Sequence, residues 1–75
     1  MNDRDELLVK TANAALDAAF YVLTVFEQFR KEIDGRIDAP AVAARELADN
    51  MIKSANEDIA SQKMILRVIE AEYEH

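Results

Sequence analysis

An unbroken heptad stripe in the first half of the chain is the feature that most restricts its fold. Its apolar residues follow one another at alternating steps of four and three residues. The stripe consists of Leu8, Ala12, Ala15, Ala19, Val22, Phe26, Phe29 and Ile33. This spacing is typical of an α-helix that packs along its length against other helices.

The apolar surface of this helix is wider than one neighbouring helix can cover. At 100° per residue the apolar arc spans roughly 200°, whereas a single neighbour requires about 100°. The residues that widen it are Val9, Leu16, Phe20 and Leu23 on one side and Ala18 and Val25 on the other. The sequence therefore predicts an assembly of more than two helices.

Polar and special residues mark the ends of the first helix. Asn2 or Asp3 can cap its start, and Asp3 with Glu6 has the spacing of a capping box. Gly35, the only glycine, follows the end of the stripe and suits the position just after a helix. These signals predict a helix over residues 3–34 and a turn over residues 35–39.

A second start signal follows this turn directly. Asp38 can cap a new helix, and Pro40 fits its first turn. The apolar pattern then continues to residue 73, so we predict a second helix over residues 40–73. Ser54 and Glu57 have capping-box spacing and allow a break, but no glycine or proline lies there, so one continuous helix is favoured. The short connection makes the two helices antiparallel neighbours.

Folding the chain back at residue 37 sets large side chains against small ones along most of the hairpin. Ala19 opposite Ala55 is the exception, and this pair leaves space that another chain can fill. A two-helix hairpin has little interior of its own. We therefore predict an all-α, single-domain chain over residues 1–75, an antiparallel two-helix hairpin that dimerises into a four-helix bundle.

Composition limits what such a hairpin can do. The chain has 75 residues, no cysteine, one histidine and a net charge of -6. Disulfides are therefore excluded, and we expect no metal, no cofactor and no direct binding to nucleic acid. The polar N-terminal residues do not resemble a signal peptide, and no apolar run approaches the ~20 residues of a membrane span. We expect a cytoplasmic protein that does not bind membranes.

The residues that could carry chemistry also have plainer explanations. Glu72 and His75 have the spacing of a metal-ligand pair, but His75 is the last residue and a solvated end is favoured. Asp58 points into the apolar arc of the second helix, where it forms a polar layer that fixes register, lies at an edge that solvent reaches, or contacts a partner protein. Tyr21 lies towards the polar side of the first helix, as an interface anchor or an isolated exposed aromatic. We expect no enzymatic activity.

These patterns favour a small interaction protein that binds itself and a second, unidentified protein, which it modulates or inhibits. The predicted dimer or partner interface consists of Ala15, Ala19, Phe20, Tyr21, Val22, Leu23, Phe26 and Asp58. The architecture resembles that of small acidic helical-hairpin dimers among plasmid copy-number regulators, in shape alone and with no shared functional residue. Alternatives are an acidic, phage-type anti-defence inhibitor that mimics nucleic acid, and a small helical co-chaperone.

Overall fold

The chain forms an antiparallel hairpin of two long helices. In the computed structural model, which describes residues 2–73, these are α1 (Asp3–Glu32) and α2 (Ala39–Tyr73), joined by residues 33–38. The two helices pack against each other in a rod of 56 × 16 × 14 Å. The predicted all-α hairpin is confirmed, and α2 runs through Ser54 without the break that its spacing allowed.

Asn2 caps the start of α1. Its Oδ1 accepts a hydrogen bond of 2.8 Å from the backbone N–H of Asp5, which satisfies one of the unpaired donors at the helix end. Asp3, Asp5 and Glu6 place negative charge in the first turn, where it stabilises the helix dipole. Of the two candidate caps, the structure therefore selects Asn2.

The turn begins two residues earlier than the sequence predicts. α1 ends at Glu32, and the Asp34 N–H bonds to the carbonyl of Lys31, which tightens the last turn and closes the helix. Gly35 lies two residues beyond the capping residue Ile33, one position later than predicted. Its φ of +84° is the left-handed conformation that glycine adopts without strain, so it reverses the chain there.

Asp38 caps the start of α2, as predicted. Its Oδ2 accepts a hydrogen bond of 3.3 Å from the Ala41 N–H. The Arg36 guanidinium donates two more to the same carboxylate, from Nε to Oδ1 at 3.1 Å and from Nη2 to Oδ2 at 2.9 Å. The hydrogen bond from Arg36 lowers the pKa of the Asp38 carboxyl below its ordinary value, and the attraction between the two charges adds to this. The carboxylate form of Asp38 therefore contributes to the stability of the turn.

We expect this contribution to disappear in acid. A carboxyl whose folded-state pKa is depressed stabilises the fold above its unfolded pKa of 3.8, and this stabilisation is lost as the pH falls through the depressed value. Urea unfolding of the wild type and of Asp38→Asn at about pH 7 and about pH 2.5 measures it. The wild type should have a larger free energy of unfolding than Asp38→Asn at neutral pH but not in acid. If the wild type kept the same advantage in acid, the stabilising role of the Asp38 carboxylate would be contradicted.

Arg45 of α2 closes the C-terminal end of α1. Its Nη2 donates hydrogen bonds of 3.3 Å to the carbonyl of Ile33 and 2.7 Å to that of Arg36. Carbonyls at the end of a helix lack partners within it, and a positive charge there also suits the helix dipole. The Arg45 side chain thus links α2 to the end of α1 and to the turn that follows it.

Alanines at heptad spacing form the contact between the helices. The buried residues are Ala12, Ala19, Ile33, Ala41, Ala48, Ala55, Ile59 and Ile69. We call this contact the alanine seam; Ala41, Ala48 and Ala55 follow one another at seven-residue spacing along α2. Small side chains bring the two backbones close together but enclose little apolar volume. None of the large side chains of residues 2–73 is fully enclosed.

Candidate functional site

A central groove lies between the helices near the middle of the hairpin. Its volume is about 280 Å³, and it is open to solvent. α1 contributes Ala15, Ala18, Ala19 and Val22, and α2 contributes Met51, Ser54, Ala55 and Asp58. The space expected where Ala19 opposes Ala55 is therefore present in the structure.

The groove opens to one side because small residues flank the seam there. Successive helical residues are 100° apart, so Ala18 and Phe20 project to opposite sides of the buried Ala19. The small side chains of Ala18 and Ala15 leave the side on which the groove lies open, whereas Phe20 and Leu16 project to the opposite side of the seam. We call the groove side the groove face.

Asp58 is the one charged side chain among the residues that line the central groove. It is exposed to solvent, and Ser54 lies on the same wall, one helical turn before it. The α1 wall opposite consists of alanine and valine side chains, which offer no cation to pair with the carboxylate. Any surface that covers the groove must therefore dehydrate this charge or supply a partner for it.

A second groove lies on the same face at the end of the hairpin where α1 begins and α2 finishes. Its volume is about 570 Å³. Its apolar residues are Leu8, Met64, Ile65, Val68 and Ile69, and its polar residues are Asn2, Arg4, Asp5 and Glu72. Nearby, the Tyr73 hydroxyl donates a hydrogen bond to the Asp5 carboxylate, which raises the pKa of the tyrosine.

Charged side chains bridge the helices on the opposite side, which we call the crossed face. The ammonium of Lys63 lies 5.9 Å from the centre of the Phe20 ring, within the range of a cation–π interaction. The Arg30 Nε donates a hydrogen bond of 2.8 Å to Asp49 Oδ1. These bridges place hydrated charge beside the apolar residues of the crossed face, so the two faces of the hairpin differ in character.

The structure separates the predicted interface residues into four locations. Ala15, Ala19, Val22 and Asp58 meet in the central groove. By helical phase, Phe20 and Leu23 belong to the crossed face. Phe26 is half-buried and packs edge-to-face on Phe29, with ring centres 6.4 Å apart. Tyr21 is 72% exposed on the outer surface of α1. The eight residues therefore form no single continuous surface.

The predicted interface omits several residues that line the groove. Ala18, Met51 and Ser54 line it beside the predicted residues. Their spacing along the helices could have placed them there from the sequence alone, because each lies three or four residues from another groove residue on the same helix. Arg45 was also missed, and no local pattern indicates that its side chain reaches the carbonyls at the end of α1.

One of the two candidate metal ligands, His75, lies outside the described residues, so the structure does not test the pair that it forms with Glu72. Among residues 2–73, no three His, Cys, Asp or Glu side chains come together in a group that could hold a metal ion.

The sequence has no uninterrupted apolar run of about 20 residues, but α1 is long and apolar enough to cross a membrane when judged by length and composition alone. α1 contains an 18-residue window with a mean hydropathy of 1.2, of which 11% is buried in the hairpin. Soluble helices that bury an apolar face also reach this value. Every such window of α1 includes Asp17, and an aspartate at the centre of a bilayer costs about 2.5–3.5 kcal/mol.

Comparison of the chain with protein-family models, with curated proteins and with solved structures finds no match in any of the three. The fold and the surface therefore define the class of this protein: a two-helix hairpin with one apolar, grooved face.

Proposed function

We propose that this chain is a small, non-enzymatic interaction protein that acts as a helical homodimer and binds, and so modulates or inhibits, a second protein. The observation that carries the proposal is the surface that a single hairpin leaves uncovered. That surface is large for the chain's mass, and it is apolar on one face. The alanine seam between the helices encloses few large side chains, so most of them remain at the surface.

The exposed area of one chain is 5701 Å². A compact protein of 8.5 kDa exposes roughly 4,700 Å², so the hairpin exposes about 1,000 Å² more. A standard protein interface buries about 800 Å² on each partner. If a second chain covered one face of the hairpin, the area buried would be close to the area by which the hairpin exceeds a compact protein of its mass.

The dimensions of the chain support the same conclusion. Its radius of gyration is 16.9 Å, whereas a compact domain of this length has a radius near 11 Å. A thin rod buries little of each side chain, and large apolar residues such as Leu47, Ile65 and Val68 remain exposed along it. Association into a four-helix bundle is the common way for such hairpins to bury these residues.

Light scattering coupled to size-exclusion chromatography tests the dimer. At about 50 µM, far above a micromolar dissociation constant, the expected mass is twice the chain mass of 8.5 kDa. The thermal midpoint should also rise with protein concentration, because unfolding then includes dissociation. A monomer with a concentration-independent midpoint would overturn the homodimer.

The net charge of -6 favours one other candidate, an acidic mimic that blocks a nucleic-acid-binding protein. On the crossed face, however, Lys63 and Arg30 interrupt the acidic residues, and a continuous negative surface is what such mimicry requires. The homodimeric interaction protein is therefore preferred.

Affinity capture from the native cell extract at low and high salt separates the two candidates. An apolar interface should retain the same protein at both salt concentrations, because salt screens charge but does not weaken apolar contacts. A basic nucleic-acid-binding protein released by high salt would support the acidic mimic. Capture of a chaperone at both salt concentrations would instead indicate that this chain is a co-chaperone.

A further inference from the structure

We infer that the second copy of the chain docks on the groove face, with the two central grooves opposed at the middle of the dimer. This inference rests on the proposed homodimer and specifies which of the two faces the dimer uses. It assigns the crossed face to solvent or to the second protein.

Charge distinguishes the two faces for self-association. Each chain carries a net charge of -6, so two copies repel unless they meet through surfaces that are poor in charge. The central groove contributes one charged side chain, Asp58, and the charged residues of the second groove, Arg4, Asp5 and Glu72, lie at one end of the rod, whereas the crossed face carries the Arg30–Asp49 pair and Lys63. Docking through the crossed face would also dehydrate these charges, which costs more than such pairs return.

The position of the groove suits a symmetric pair. Its residues lie at 15–22 in α1 and 51–58 in α2, near the midpoint of each helix. A two-fold axis through this level aligns the two rods along their full 56 Å, so the overlap of the faces is as large as possible. The space left by the alanines can then receive side chains from the other copy.

The second groove extends the apolar surface on the same face. It adds Leu8, Ile65 and Val68, which are all exposed in the single hairpin. The two grooves together supply an apolar surface from the middle of the rod to the end where α1 begins and α2 finishes. The whole chain exposes about 1,000 Å² more than a compact protein of its mass, and a standard interface that covers one face would remove about 800 Å² of this.

Two substitutions of exposed helical alanines test the inference. Ala18→Glu places a charge in the central groove, whereas Ala60→Glu places the same charge on α2, away from both grooves. Both variants keep high helix propensity and reach the same net charge. We expect Ala18→Glu to raise the dimer dissociation constant at least roughly 100-fold, and Ala60→Glu to change it by less than about threefold.

Sedimentation equilibrium measures the dissociation constants, and circular dichroism checks that each variant stays helical. Ser54→Glu, on the α2 wall of the groove, repeats the test if Ala18→Glu lowers the helix content, since Ser54 is exposed as well. Dissociation by either groove variant, with its helices intact, supports the inference.

Other outcomes separate this inference from the proposed function. If Ala18→Glu and Ser54→Glu remain dimers while Phe20→Glu dissociates, the dimer uses the crossed face and the inference is wrong, although the homodimer stands. If the wild type itself is monomeric, the homodimer fails and the inference fails with it. A wild-type monomer that floats with phosphatidylcholine–phosphatidylglycerol vesicles would show that lipid covers the groove face instead.

Discussion

Ala48→Leu is expected to lower the thermal midpoint of the protein by roughly 10–20 °C. Ala48 is 0% exposed and lies in the alanine seam, where the two helix backbones approach closely. A leucine there needs space that the seam does not contain, so the helices must separate and release their neighbouring contacts. Overpacking of this kind costs about 1–3 kcal/mol, and each kcal/mol shifts the midpoint of a domain this small by about 4–8 °C.

Ala60→Leu provides the control for this substitution. Ala60 is an exposed alanine of the same helix, so the same side chain is added without entering the seam. Thermal unfolding followed by circular dichroism, at one protein concentration, should show a large shift for Ala48→Leu and a small one for Ala60→Leu. Equal midpoints for Ala48→Leu and the wild type would mean that the helices are not in close contact at this level.

Asp58→Asn is expected to tighten the proposed homodimer about tenfold, because it removes an unpaired charge from the inferred interface. The carboxylate is hydrated in the single hairpin and loses water when a second copy covers the groove. No lysine or arginine lines the central groove to compensate for this loss. The asparagine has almost the same shape, so the packing of the groove is preserved.

Glu57→Gln separates this local effect from the change in net charge. Both substitutions remove one negative charge from α2, but Glu57 is exposed and lines neither groove. Sedimentation equilibrium should give a tighter dimer for Asp58→Asn than for Glu57→Gln. Equal dissociation constants would show that overall repulsion alone accounts for the gain and that Asp58 stays in water.

Patterns along the sequence were sufficient to predict much of the fold. The heptad spacing identified both helices, and Asp38 was correctly assigned as the cap of α2. The opposition of Ala19 and Ala55 also indicated where the central groove lies, because antiparallel pairing about a short turn determines which residues of α1 lie opposite which residues of α2. Each of these features depends on backbone geometry and residue size, which the sequence determines locally.

The difference between the two faces could not be predicted in the same way. It depends on Lys63 reaching across to Phe20 and on Arg30 reaching Asp49. Long side chains have many rotamers, and their choice depends on the packing of the finished hairpin. For this reason the sequence grouped Phe20 and Leu23 with Ala15 and Val22 in one interface, although the structure places them on opposite sides.

The connection between the helices also determines whether α1 pairs with α2 of the same chain or with α2 of another molecule. If residues 33–38 continued as helix, the chain would form one rod of about 100 Å, and its alanine seam could be completed only by exchange of helices with another molecule. The left-handed backbone of Gly35 and the hydrogen bonds from Arg45 to the carbonyls of residues 33 and 36 oppose that straightening. A few bonds at the turn therefore keep the pairing of α1 with α2 within one chain, independently of the apolar surface that the hairpin presents.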